Sequence, residues 1–165
     1  MSEPDYTSLV IGVGNLYRSD DAVGILIARK INNMALDRVS VKEQSGEGTS
    51  LMDAWKGYGR VLIVDAVSSG AAVGSIHRLD ASKEPIPSKF FSCSTHNFGV
   101  AEAIELARTL SQLPGHLQLY GIEGKNFQPG EVLSSEVEQA MELVVGEILQ
   151  TISSLESGSE ISIDV

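Results

Sequence analysis

The chain has 165 residues, with 12 lysines and arginines against 22 aspartates and glutamates, so its formal charge is −10. That balance argues against a general nucleic-acid or anionic-membrane binder, which needs a basic face. With 42% hydrophobic residues and a single cysteine, Cys93, the chain suits one globular core and excludes a disulfide framework.

No apolar run reaches the ~20 residues of a membrane span. The start, MSEPDYTS, is acidic and polar, unlike a signal peptide. The expectation is a cytoplasmic protein.

Thr7 to Val13 is a short apolar run ended by Gly12 and Gly14, which suits a buried strand. Val23, Leu26, Ile27, Ile31 and Met34 follow at helical spacing, with Ser19 or Asp20 as the expected cap. Arg38 to Glu43 alternates like a half-buried strand. A glycine loop with Gly46 and Gly48 leads to a short helix from about Thr49 to Lys56. Arg60 to Val67 is the most apolar β-branched run and reads as the central strand, with Asp65 near its end. Ser75 to Leu79 is a weaker strand expected beside it.

Pro85 and Pro87 mark a loop from Asp80 to Cys93. Ser94 or Thr95 is the expected cap of a helix carrying Phe98, Ala101, Ile104, Ala107 and Leu110. Leu117 to Ile122 is a further strand. The last helix carries Val137, Ala140, Met141, Val144, Val145, Ile148, Leu149 and Ile152, with a possible capping box at Ser135-x-x-Glu138.

The order β-α-β-α-β-β-α-β-α predicts an α/β fold: one three-layer α/β/α domain with a mostly parallel, twisted sheet. The domain is expected over residues 1–155. Residues 156–165, with three acids and no base, are expected to form a disordered acidic tail.

In open α/β sheets, ligands gather at the carboxyl ends of the strands. Those ends deliver Gly14, Asn15 and Asp21, the Gly46–Thr49 loop, Asp65 and His96. A carboxylate after Val61-Leu62-Ile63-Val64 is costly to bury unless it is paired, hydrogen-bonded or metal-bound. An Asp that only caps the following loop explains Asp65 about as well on position alone. Asp21 alone fits a first-turn acid serving the helix dipole. A helix N-terminus would keep His96 neutral and able to ligate, though a histidine packed at a loop–helix junction is the commoner case. His77 and His116 read as solvated strand-edge residues. Two carboxylates and an imidazole make a plausible open metal site. Gly12-x-Gly14 matches only part of a dinucleotide fingerprint, and Cys93 carries no mark of an activated thiol.

Several pieces together resemble the hydrogenase maturation proteases. They are Ile11-Gly12-Val13-Gly14-Asn15 with Ser19-Asp20-Asp21-Ala22-Val23-Gly24; Gly46 to Thr49; Leu62-Ile63-Val64-Asp65-Ala66; Ser94-Thr95-His96-Asn97-Phe98-Gly99; and Tyr120-Gly121-Ile122-Glu123 leading to Leu133-Ser134. They cover about residues 8 to 150.

The resemblance implies a single α/β domain. It implies an aspartyl-type endopeptidase that cuts a C-terminal extension from the nickel-loaded precursor of a nickel–iron hydrogenase large subunit, and so activates that enzyme. It carries the family's acids onto Asp21 and Asp65 and its histidine onto His96, as catalytic and nickel-contacting residues. The nickel comes from the substrate. Gly14, Asn15, Gly48 and Thr49 become the substrate-binding positions. The first-motif acid is Asp here and Glu in some relatives, and Asp20 stands adjacent, so the choice of Asp21 rests on motif register. The partner is the precursor, with no nucleic acid or membrane, and the enzyme is taken as a monomer. The rival readings are a free-standing zinc-dependent peptidase or amidohydrolase, a nucleotide-binding module, and a non-catalytic protein that binds a hydrogenase subunit.

Overall fold

The computed structural model describes residues 7–87 and 98–161, with side chains as far as Ser154. Five strands form one sheet: β1 (Ser8–Val13), β2 (Val39–Gln44), β3 (Arg60–Val67), β4 (Ile76–Asp80) and β5 (His116–Glu123). Four helices join them: α1 (Val23–Asn33), α2 (Gly48–Trp55), α3 (Val100–Thr109) and α4 (Ser135–Ile161). Among the described residues no helix is long and apolar enough to cross a membrane.

The strand order is β2-β1-β3-β5-β4. The first four run parallel, with Leu9 opposite Val61 and Ile63 opposite Leu119. β4 runs antiparallel to β5, Leu79 facing Leu119. The expected single α/β domain with a mostly parallel sheet is therefore the fold. β4 does not lie beside the central strand as expected; β5 separates the two.

Alternation along the strands splits the apolar side chains between two faces. Leu9, Ile11, Ile63 and Leu119 pack with Leu51 and Trp55 of α2 and Ile104 of α3. Val10, Val64 and Ile122 pack with Ile27 of α1 and Val144 and Ile148 of α4. Each cluster contains side chains with no solvent exposure. Truncating one, as in Ile148→Ala, should cost about 2–5 kcal/mol.

α1 lies close against the sheet because Gly24 lacks a side chain. A Cβ there would meet the carbonyl oxygens of Val13 and Val64 at 2.3 and 2.4 Å. The helix is preceded by a 3-10 turn at Ser19–Ala22 and has no side-chain cap. The expected cap by Ser19 or Asp20 is thus absent, because Asp20 is engaged elsewhere.

Three other boundaries differ from the sequence expectation. α3 begins at Val100 with Gly99 as its N-cap, past Ser94 and Thr95. The Glu102 carboxylate accepts the Gly99 amide there. Ser134 rather than Ser135 stands before α4, its carbonyl accepting the Glu138 amide. α4 runs to Ile161, six residues into the segment expected to be a tail.

Candidate active site

The carboxyl ends of β1 and β3 bring two acids together. In β3, Val61, Ile63 and Val67 face the α2/α3 core, so alternation turns Asp65 to the same side. The residue is 7% exposed, near the end of a strand that is apolar from Val61 onward apart from this acid. Burial pushes its carboxyl well above the usual range, and the charge of Asp21 pushes it further; the Ala66 amide offsets part of this.

Asp21 reaches the site from the 3-10 turn after β1. Burial raises its pKa, while Arg18 and the Asn15 amide pull it back. The Arg18 guanidinium stands 3.9 Å from the Asp21 carboxylate. The turn is shaped by Gly14, whose φ of 151° is open to glycine. A Cβ on Gly14 would lie 1.9 Å from the Asp21 carbonyl oxygen, which accepts the Asn15 amide at 3.2 Å.

Asp20 does something different. It is fully buried, and its carboxylate accepts four hydrogen bonds from the far end of the chain. Oδ2 takes the amides of Lys125 and Asn126 at 2.8 and 3.0 Å and the Ser134 hydroxyl at 2.8 Å. Oδ1 takes the Ser134 amide at 2.7 Å. Burial raises its pKa, but these donors outweigh burial and hold it low. Ser19 adds an amide bond to the Gly130 carbonyl at 2.9 Å and a hydroxyl bond to the Gln128 carbonyl at 2.8 Å. The segment 124–134 is thereby fastened beside Asp21.

The expected substrate-binding residues occupy the same edge. Asn15 is exposed, and its side chain accepts the Tyr17 amide at 2.9 Å. The Gly48 amide donates to the Phe98 carbonyl at 2.8 Å, and Thr49 is exposed in the first turn of α2. Glu47 caps that turn by accepting the amides of Thr49 and Ser50, each at 2.9 Å, which pulls its pKa down to about 2.

His96, together with Cys93, Ser94, Thr95 and Asn97, lies outside the described residues. Phe98 accepts the Gly48 amide only two positions further along. Among the described residues no three His, Cys, Asp or Glu side chains group closely enough to hold a metal ion. Asp21 and Asp65 supply two oxygen donors.

Sequence reasoning passed over a third buried acid. Glu123 ends β5 at 2% exposure and accepts the Ser69 amide at 2.7 Å, the Ser69 hydroxyl at 2.6 Å and His77 Nε2 at 3.1 Å. His77 is therefore not a solvated residue without a partner, as expected, whereas His116 is exposed. The signal for Glu123 was available: like Asp65, it is an acid closing an apolar strand.

The chain matches the model of the hydrogenase maturation protease family (HycI) over residues 25–151. It is 28% identical over 156 residues to the hydrogenase 2 maturation protease of Escherichia coli K12, covering 92% of this chain and 93% of that one. It is 26% identical over 152 residues to the hydrogenase expression/formation protein HupD of Thiocapsa roseopersicina, covering 86% and 68%. The solution structure of an endopeptidase from E. coli superposes with a TM-score of 0.75 at 25% identity, covering 90% and 93%. The nickel–iron hydrogenase maturation protease HybD from Thermococcus kodakarensis gives 0.70 at 23% identity, covering 88% and 98%.

Proposed function

The chain belongs to the hydrogenase maturation protease family, and on that premise we propose that it removes a C-terminal extension from the nickel-loaded precursor of a nickel–iron hydrogenase large subunit. The observation that carries this reading is the pair Asp21 and Asp65, brought to one strand edge with Asp65 buried. Two carboxylates suit a divalent first-row cation, and the precursor's nickel is the cation in question. His96 is the third contact in this proposal.

In this reading Asp65 holds a proton until the cation arrives, because burial and Asp21 both disfavour its charge. Nickel binding would release that proton and complete the recognition. Asp21 approaches at the same edge from the turn after β1, and Arg18 favours its charged form. Gly14, Asn15, Gly48 and Thr49 line the approach of the peptide.

Water is the nucleophile. It adds to the scissile carbonyl carbon, the C–N bond breaks, and the water's proton passes to the leaving amine. Arg18 and Asp21 position the site but supply no covalent intermediate.

The test is to incubate nickel-loaded precursor with the protein and weigh the product by mass spectrometry. A mass loss equal to a C-terminal segment, absent when nickel is omitted, is the expected result. Equal cleavage of nickel-free precursor would remove the recognition role of the metal.

A further inference from the structure

The two most exposed large apolar side chains among the described residues are Val132, at 79%, and Tyr17, at 68%. They lie on different segments, yet the segments are joined: the Gly130 amide donates to the Tyr17 carbonyl at 2.9 Å. Tyr17 precedes the 3-10 turn that carries Asp21, and Val132 follows two residues after the bond to Gly130. The remaining exposed apolar residues, such as Leu143 on α4 and Leu110 after α3, are scattered over helices. Single exposed apolar residues need no explanation, but two on segments fastened to each other next to the candidate site do.

A groove of about 390 Å³ continues from this edge, between the loop after β1 and the end of β2. Leu16, Tyr17 and the buried side chain of Ile25 form its apolar wall. Gly14 and Asn15 belong both to the groove and to the turn that carries Asp21. Glu43 contributes the one acid on the lining, and Arg29 takes both of its oxygens, at 3.1 Å each. The wall's charge is thus neutralised, and the groove favours an uncharged occupant.

Tyr17 is also preorganised. Its amide is held by Asn15 and its carbonyl by Gly130, so little backbone freedom remains to be lost on binding. Exposed, rigid aromatic side chains at a site rim have the character of binding hot spots.

We propose that Leu16, Tyr17 and Ile25 seat the apolar stretch of precursor polypeptide that flanks the scissile bond, and that Val132, on the segment fastened to Tyr17, extends this surface. The proposal rests on the function proposed above and adds the surface that reads the peptide, separate from the acids that meet the cation. Continuity with the Asp21 turn sets the occupant: a chain leaving the cation for this groove passes Gly14 and Asn15.

The experiment compares wild type, Tyr17→Ser/Val132→Ser and a control, Leu143→Ser, on the nickel-loaded large-subunit precursor from the same organism. Affinity is read by biolayer interferometry and cleavage by initial rates, with thermal melts to check folding. The double variant should raise KM and Kd about tenfold, leave kcat within about twofold, and melt like wild type. The control should match wild type throughout. A double variant with wild-type KM and Kd, while wild type binds and cuts, overturns this surface alone. A control as weak as the double variant overturns it too. A wild type that neither binds nor cuts overturns the proposed function and this surface with it.

Discussion

Asp20 and Asp21 are neighbours in the chain and opposites in the fold. The carboxylate of Asp20 is fully buried and spent on four hydrogen bonds to residues 125, 126 and 134. That of Asp21 meets one guanidinium at 3.9 Å, the Asn15 amide and the charge of Asp65. Burial acts on both, yet the donors around Asp20 hold its pKa low while that of Asp21 is raised. A satisfied buried carboxylate is a structural fastener, and an unsatisfied one retains capacity for a cation. The contrast shows Asp20 holding the frame, and it leaves Asp21 as the acid that the proposed function draws on.

The largest expected effect comes from Asp65→Asn. Cleavage should fall by about a thousandfold or more, the scale of removing an essential charged group. The same variant should melt higher. An acid whose folded pKa is raised costs stability above its unfolded pKa and regains it as pH falls, so the neutral amide should add about 1 kcal/mol at pH 7. Lower stability together with lost cleavage would mean that Asp65 is a structural residue like Asp20.

Asp20→Asn should do the reverse. An amide nitrogen would face backbone N–H donors, at a cost of about 3 kcal/mol in urea unfolding. Cleavage by the remaining folded fraction should persist. The folded pKa of Asp20 is depressed, so its stabilisation is present above the unfolded value of 3.8 and is lost as pH falls through the folded value.

Glu123→Gln should cost about 1–2 kcal/mol, because Ser69 and His77 lose a charged acceptor. Burial raises the Glu123 pKa, but Ser69 and His77 bring the net value below 4.5. Its contribution therefore holds above pH 4.5 and fades below, a trend that acid titration of wild type against the variant will show. Glu47→Ala should give the smallest change, a slight fall in melting temperature from the lost cap on α2, with the effect gone near pH 2.

Much of this fold was legible because its strands and helices alternate in period. The central strand was read with its observed bounds, and α4 by its unbroken apolar stripe. The start of α3 was missed because Ser94 and Thr95 look like caps, whereas Gly99 and Glu102 supply the cap contacts. Asp65 stood out as a charge closing an apolar run. The difference between Asp20 and Asp21 was not legible, because the partners of Asp20 lie more than a hundred residues away. The pairing of His77 with Glu123 was hidden as well, because the two lie on different strands 46 positions apart. The cap by Glu47 was not read, although its contacts are local: it stands just before the turn whose amides it accepts.

The central claim is that adjacent acids divide structure from chemistry, and one assay tests it directly. Nickel-loaded precursor is incubated with equal folded amounts of wild type, Asp20→Asn and Asp21→Asn, and the precursor's mass is followed. The account predicts that Asp20→Asn still trims the C-terminus while Asp21→Asn leaves it intact. An active Asp21→Asn beside a folded but inactive Asp20→Asn would contradict it.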